Sequence, residues 1–235
     1  MANDYFRFKK FVIIQDKCSF KVGTDGVLLG ASADVSNATR ILDVGAGTGL
    51  ISIMLAQRCN ADIVAIEPDE ESFNQLLQNL NSCQWNSRIK AYNESLQNFN
   101  SSCRFNLIVS NPPYFQNSIR NPDARKSSAR HNDSLPNSDL IDGVMLLLEE
   151  NGLFQVVIPS AEGARLIIEA EEKRLYCNSI IKIRPTPSSA VRRLVLTFGK
   201  TKKKLQEEFL TIENGKRHSF TEEYINLTKD FYLKF

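Results

Sequence analysis

The chain has few cysteines, no long apolar run and little net charge, and each shortage removes a class of protein. Its five cysteines, Cys18, Cys59, Cys83, Cys103 and Cys177, stand singly with no CxxC pair. An odd count without pairs argues against a disulfide framework or a zinc site and fits a reducing compartment. No segment approaches the ~20 consecutive apolar residues that cross a bilayer. The amino-terminal apolar run, Phe11 to Ile14, is flanked by charge on both sides, which is not the pattern of a signal peptide, so the expected setting is the cytoplasm. The formal net charge of +2 does not by itself announce a nucleic-acid partner. There is no GK[ST] sequence, which speaks against a nucleoside triphosphate site. Neither an internal repeat nor a strong domain linker is present. A length of 235 residues suits one large domain with a short appendage.

What is there alternates between strand and helix. "ILDV" at 41–44 ends in "GAGTG" and is followed by the apolar "LISIMLAQRC". That reads as strand, glycine turn, buried helix. "ADIVAIEPD" supplies a second strand stopped by Pro68, and a helix over 69–81 repeats Phe73, Leu76, Leu77 and Leu80 at helical spacing. "RIKAY" is a third strand, followed by a short turn or helix at 94–99, and "FNLIVS" at 105–110 is a fourth. Such alternation predicts a parallel sheet covered on both faces. Ser138 is positioned to cap a helix "DLIDGVMLLLEE" ending at Asn151-Gly152, which leads into the strand "LFQVVIP". A helix near 160–174 precedes "NSIIKIRP" and "RRLVLTFG", whose short connection suggests an antiparallel hairpin at one sheet edge. The tail holds a strand candidate, "EEFLTI", and a helix over 221–230.

Two features carry chemistry. The first is "DVGAGTG", in which Gly45, Gly47 and Gly49 lie between strand and helix, where the missing side chains let a ligand approach the backbone. The GxGxG spacing differs from the GxGxxG of dinucleotide folds. Glu67 stands at the end of the second strand, where an acidic side chain of a doubly wound sheet accepts hydrogen bonds from ribose hydroxyls. Asp43, just before the turn, either orders the loop backbone or meets a ligand's amino group.

The second is "SNPPYF" at 110–115, directly after the fourth strand. Alone, Asn-Pro-Pro is a loop that ends a ladder. Its position at a strand's carboxyl end, where open α/β sheets bind ligands, changes that reading. An exocyclic amine conjugated to a ring is a poor nucleophile, and a catalyst must draw its hydrogens toward acceptors to free the lone pair. The Asn111 side-chain carbonyl and the Pro112 backbone carbonyl are two such acceptors. Pro113 stiffens the loop, and Tyr114 offers a face on which a planar base stacks, worth about 1–3 kcal/mol for an unpaired base. Positioning and dipole placement would supply most of the rate, without a strong general base.

Through "ILDVGAGTGL", "IVAIEPD" and "FNLIVSNPPY", covering about residues 40–160, the sequence resembles the Class I S-adenosylmethionine-dependent methyltransferases. That resemblance implies a Rossmann-like α/β fold: a doubly wound, mostly parallel seven-stranded sheet with an antiparallel edge hairpin. It also implies S-adenosyl-L-methionine as cofactor, with Gly45, Gly47 and Gly49 around its methionine part and Glu67 on the ribose. Glu94 or Ser95, in the slot after the third strand, would contact the adenine. The motif [DN]PP[YFW] resembles that of enzymes acting on amines of planar systems: adenine N6, cytosine N4, guanine N2 and protein glutamine amide.

With "KVGTDGVLLGA" near the start and "FYL" near the end, the resemblance spans nearly the whole chain and narrows to the bacterial tRNA1(Val) adenine-N6-methyltransferase family. The family modifies the adenosine 3′ of the anticodon. It implies that Lys21 and Thr24 lie by the cofactor and Asp25 by the RNA, with Asn111, Pro112, Pro113 and Tyr114 as the catalytic group. The stretch 115–137 lacks periodicity and carries Arg120, Arg125, Lys126, Arg130 and His131. The first four are candidate contacts to an anticodon loop, as are Lys200, Lys202, Lys203 and Lys204 in the tail, although solvated charge explains both groups equally well. His131 is not assigned to catalysis. The expected organisation is an amino-terminal cofactor-covering extension (1–39), a core (40–200) and a carboxyl-terminal appendage (201–235), with no metal, no membrane and no obligatory protein partner. A methyltransferase for ribosomal-RNA guanine N2 or protein glutamine, and a non-catalytic cofactor or RNA binder, are the competing readings. The former would be expected to carry a separate recognition domain, and the latter has no use for two acceptors at a methyl donor.

Overall fold

The computed structural model describes residues 3–18, 21–113 and 135–235. An amino-terminal hairpin of β1 (Tyr5–Arg7) and β2 (Val12–Ile14) precedes α1 (Thr24–Ser32). The alternating core follows: β3 (Arg40–Val44), α2 (Leu50–Arg58), β4 (Asp62–Ile66), α3 (Glu70–Asn81), β5 (Ile89–Tyr92) and β6 (Phe105–Ser110). Next come α4 (Asn137–Leu147), β7 (Leu148–Pro159), α5 (Ser160–Glu172), β8 (Tyr176–Arg184), β9 (Arg193–Gly199), β10 (Gln206–Thr211) and α6 (Glu222–Thr228).

The main sheet has the order β10-β8-β9-β7-β6-β3-β4-β5. Only β9 runs antiparallel to its neighbours, so the doubly wound, mostly parallel architecture with an antiparallel hairpin stands. The strand count is eight and not seven. The tail segment β10 pairs in parallel with β8, from Gln206 opposite Ser179 to Thr211 opposite Arg184, and so becomes the outer edge beyond the hairpin. Burial on both faces explains the near-continuous apolar strands. One face packs against α1, α2, α3 and α6, and the other against α4 and α5. Helix α2 is apolar nearly all round because α1 covers its outer side. A Cβ on Gly30 of α1 would lie 2.8 Å from Met54 Sδ, so the close helix contact depends on that glycine.

Three local readings change. The helix expected to run to Asn151 ends at Leu147, because Leu148 is fully buried and pairs with Phe105 as the first residue of β7. Ser138 does not cap it. The helix N-cap is Pro136, and the Ser138 hydroxyl donates to Asp139. The amino-terminal hairpin was not legible because three-residue strands are too short to show a period.

That hairpin is pinned from two sides. Phe8 stacks with Phe11 and Tyr232, and Lys9 Nζ donates to the carbonyls of Lys229 and Phe235, tying both chain ends together. On the other side, Gln75 and Asn79 of α3 hold its backbone. Gln75 Oε1 accepts from the Lys17 amide at 3.0 Å. Asn79, 1% exposed, accepts from Ile14 N at 2.8 Å and donates to the carbonyls of Ile14 and Thr48 at 2.9 Å each. Replacing Asn79 by Ala leaves buried backbone groups without partners, at a cost of roughly 2–4 kcal/mol. Urea unfolding of Asn79→Ala should show that loss, and an unchanged midpoint would refute the pinning role.

Candidate active site

Parallel pairing brings three loops to one level. Val44, the last residue of β3, pairs with Ile66 at the end of β4 and with Ser110 at the end of β6. The residues that follow are Gly45, Glu67 and Asn111, so three residues far apart in sequence emerge side by side at the carboxyl edge. Ser110 Oγ, fully buried, donates to the Val44 carbonyl at 3.0 Å and ties the last residues of β6 and β3 together.

Gly45, Gly47 and Gly49 have φ of 71°, 54° and 83°, the left-handed region that favours glycine. A Cβ on Gly45 or Gly47 would meet nothing within 4 Å, so beside those two the backbone faces open space. Gly49 differs, since its Cβ would lie 2.5 Å from Leu76 Cδ1, and it serves packing against α3. The amides of Gly45 and Ala46 both donate to the Ile66 carbonyl at 3.0 Å.

Glu67 is 8% exposed and fixed by two amides. Its Oε2 accepts from Gly47 N at 2.8 Å, and its Oε1 from Asp69 N at 3.0 Å. The acidic residue thus shapes the glycine turn as well as standing beside it. Asn93 Nδ2 donates to the carbonyls of Glu67 and Pro68, which brings the end of β5 into the same wall. Glu94 is exposed there and Ser95 is half-buried, its carbonyl accepting from the amides of Asn98 and Phe99.

Asp43 is fully buried. Its Oδ2 accepts from Ser52 N at 3.0 Å and from Ser52 Oγ at 2.7 Å, which orders the first turn of α2. Its Oδ1 is buried without a hydrogen-bond partner among the described residues. Burial pushes the carboxyl up to about 6, against the pull of the Ser52 bonds.

Helix α1 lies over Asn111. A Cβ on Gly26 would sit 3.1 Å from Leu50 Cδ2 and 3.9 Å from Asn111 Nδ2, so the first turn of α1 touches both the helix after the glycine turn and the NPP loop. Thr24 opens that turn. Asp25 Oδ2 accepts from Arg193 Nε at 2.7 Å, so this carboxylate anchors α1 to β9. Lys21 Nζ reaches the Asn3 carbonyl at 3.2 Å and the Asp4 carboxylate at 3.9 Å, contacts with the amino-terminal segment. Asn111 and Pro112 are half-buried and Pro113 is exposed. Tyr114, Arg120, Arg125, Lys126, Arg130 and His131 lie outside the described residues.

The tail lysines are elsewhere. Strand β9 runs away from the carboxyl edge, so residues 200–204 emerge at the opposite edge from Asn111. There Lys200 Nζ donates to the carbonyls of Met145 and Leu148 at the end of α4, and Lys202 pairs with Glu171 at 2.6 Å. Strand direction therefore separates them from the edge that carries Asn111. Burial raises the thiols of Cys18 and Cys83, and that of Cys177 to about 11, which suits structural roles. Among the described residues no three metal-ligating side chains cluster, and no helix is long and apolar enough to cross a membrane.

The family model for the methyltransferase small domain matches residues 22–175. A tRNA1(Val) (adenine(37)-N6)-methyltransferase of Bacteroides fragilis is 42% identical over the whole length of both chains. A protein of the same name from Trichodesmium erythraeum is also 42% identical over the whole length of both. The chain belongs to the tRNA1(Val) adenine-N6-methyltransferase family. The fold agrees: a predicted O-methyltransferase from Agrobacterium tumefaciens superposes with a TM-score of 0.69 at 19% identity, covering 88% of this chain and 96% of that one.

The family's cofactor is S-adenosyl-L-methionine, and the pocket suits it on three counts. The backbone at Gly45 and Gly47 faces open space that a ligand can fill. A fixed carboxylate stands at the end of β4, as ribose hydroxyls require. A buried carboxylate oxygen at the end of β3 lacks a donor among the described residues, as an ammonium group would supply. Sequence reasoning missed the supports, Ser52, Asn79, Asn93 and Ser110. Ser52 and Ser110 are polar residues inside apolar elements and Asn93 lies just beyond a strand, the only trace they leave in the sequence, whereas Asn79 is one of many polar residues of α3.

Asp43 holds its proton more tightly in the folded chain than at its ordinary 3.8. Stability from this source is complete below about pH 4 and is lost as the pH rises through about 6. Asp43→Asn should therefore become more stable relative to wild type between pH 4 and pH 7.5, by up to about 3 kcal/mol. Denaturant unfolding at the two pH values measures this, and a difference independent of pH would contradict a displaced carboxyl.

Proposed function

We propose that this chain transfers the methyl group of S-adenosylmethionine to the exocyclic N6 of an adenosine in tRNA, the one 3′ of the anticodon in tRNA1(Val). The observation that carries this is the pairing of Val44 with Ser110, which sets Asn111 and its proline loop beside the glycine turn. The shared name of the full-length relatives supports the tRNA and the position within it. A cytoplasmic setting belongs to the same reading.

When bound, the cofactor supplies an electrophilic methyl on a sulfonium. The chain's own residues do the rest. Gly45 and Gly47 admit the methionine portion against bare backbone, and the Asp43 oxygen without a partner receives its ammonium. Glu67 accepts from the ribose, and Glu94 or Ser95 meets the adenine. Asn111 Oδ1 and the Pro112 carbonyl accept the two amine hydrogens of the target base, turning its lone pair toward the methyl, while Tyr114 stacks on the ring. Both acceptors are neutral, so the amine is aligned without being deprotonated first. An anticodon-loop base is already unpaired, which lowers the cost of presenting it.

The test is transfer of labelled methyl to total tRNA by wild type and Asn111→Ala, followed by nucleoside analysis. Wild type should form N6-methyladenosine, and Asn111→Ala should lose about 10²–10³-fold in kcat while still binding cofactor. Label appearing in protein glutamine, or in no RNA pool, would overturn the reading.

A further inference from the structure

Beside the first turn of α1, the described residues enclose a cleft of about 290 Å³ between α1, the carboxyl end of β8 and the amino end of β9. Leu28, Ile183 and Ile212 line it with apolar surface, and Asp25, Arg192 and Arg193 stand around it. Its size is at the low end of small-ligand pockets, ~300–1,000 Å³, and fits one planar group.

Three observations assign an occupant. The first is position. The cleft and Asn111 flank the same turn of α1, with Gly26 against Asn111 and Asp25 bonded to Arg193. Strand β9 lies two places from β6 in the sheet, so the near side of the cleft stands about 10 Å, two strand spacings, from the strand that carries Asn111, and its β8 side stands farther. A nucleotide chained to the target base reaches that far. The second is charge. Arg192 is exposed, and Arg193 donates Nε to Asp25 and Nη1 to the Arg192 carbonyl, which fixes its planar head beside the cleft. The neighbouring segment, joined by Glu213 N to the Pro185 carbonyl at 2.8 Å, carries exposed Lys216 and Arg217. Its acid, Glu213, accepts from the His218 amide. The third is chemistry. An apolar floor under arginines suits a base stacked below its own phosphate, and the Asp25 carboxylate offers an acceptor for a base N–H.

Resting on the function proposed above, we infer that this cleft is a subsite for the unpaired nucleotide next to the methylated adenosine, with Arg192 and Arg193 on its phosphate. It shares the first turn of α1 with the reacting amine's site and sets which loop sequence presents that amine. Arg192 and Arg193 then bind the RNA directly, and Asp25 both holds Arg193 and accepts from the base.

The test uses the full chain and an RNA stem–loop carrying the anticodon loop of tRNA1(Val), intact or with the base next to the target removed. Arg192→Ala should raise KM for the intact RNA about tenfold and lower the dependence of log KM on log salt by about one charge. Ile212→Trp, which fills the cleft, should raise KM and abolish the wild type's preference for the intact over the abasic RNA. Lys203→Ala, at the opposite edge, should leave both readouts unchanged. Cofactor affinity, measured alongside, reports on folding without involving the RNA. Wild-type KM and salt dependence in both cleft variants, with RNA still methylated, would overturn the subsite alone. Absence of methyl transfer to RNA by wild type would overturn the proposed function as well.

Discussion

The in-register parallel pairing of β3 with β4 and β6 is the constraint on which the site depends. Because Val44, Ile66 and Ser110 end at one level, the turn after each strand opens on the same side of the sheet. A one-residue slip in a strand buried on both faces would exchange its two side-chain sets and also withdraw the following loop from the others. Core packing and site assembly are therefore one requirement, and the apolar residues that hold the register also place Asn111.

A layer of polar contacts refines what the sheet places. Glu67 fixes the amide of Gly47, Asp43 fixes the start of α2 through Ser52, and Asn79 joins the glycine loop to β2. Each contact joins a backbone group of one element to a side chain of another, so the cradle is rigid before a ligand arrives. Such preorganisation matters for a reaction that relies on alignment, because small misplacements of the reacting atoms are costly. The amino-terminal hairpin belongs to this layer, held on one side by Asn79 and on the other by Lys9 and the carboxyl terminus.

Helix α1 links this cradle to the other half of the sheet. Its first turn touches Asn111 through Gly26 and β9 through Asp25, and its later residues pack on α2. The antiparallel strand β9 reverses the chain so that Arg193, its first residue, and Arg192 before it lie at the same edge as the glycine turn, while the lysines after it emerge at the other. Arg192 and Arg193 thereby share an edge with the site, while Lys200 and Lys202 make helix-capping and surface contacts at the other.

Local composition alone determined the alternation of strand and helix, the glycine turn, the acidic residue after the second strand and the proline loop after the fourth. Each depends on the covalent character of a few adjacent residues: backbone freedom at Gly45 and Gly47, the locked prolines after Asn111, apolar runs of strand length. Tertiary structure decided the rest. Leu148 begins a strand and does not continue a helix because the sheet offers Phe105 as a partner. Lys200 reaches the end of α4 because of the direction of β9. Asp25 anchors α1 because Arg193 comes within 2.7 Å of it. Those outcomes turn on contacts between residues as many as 168 positions apart, which no local pattern encodes.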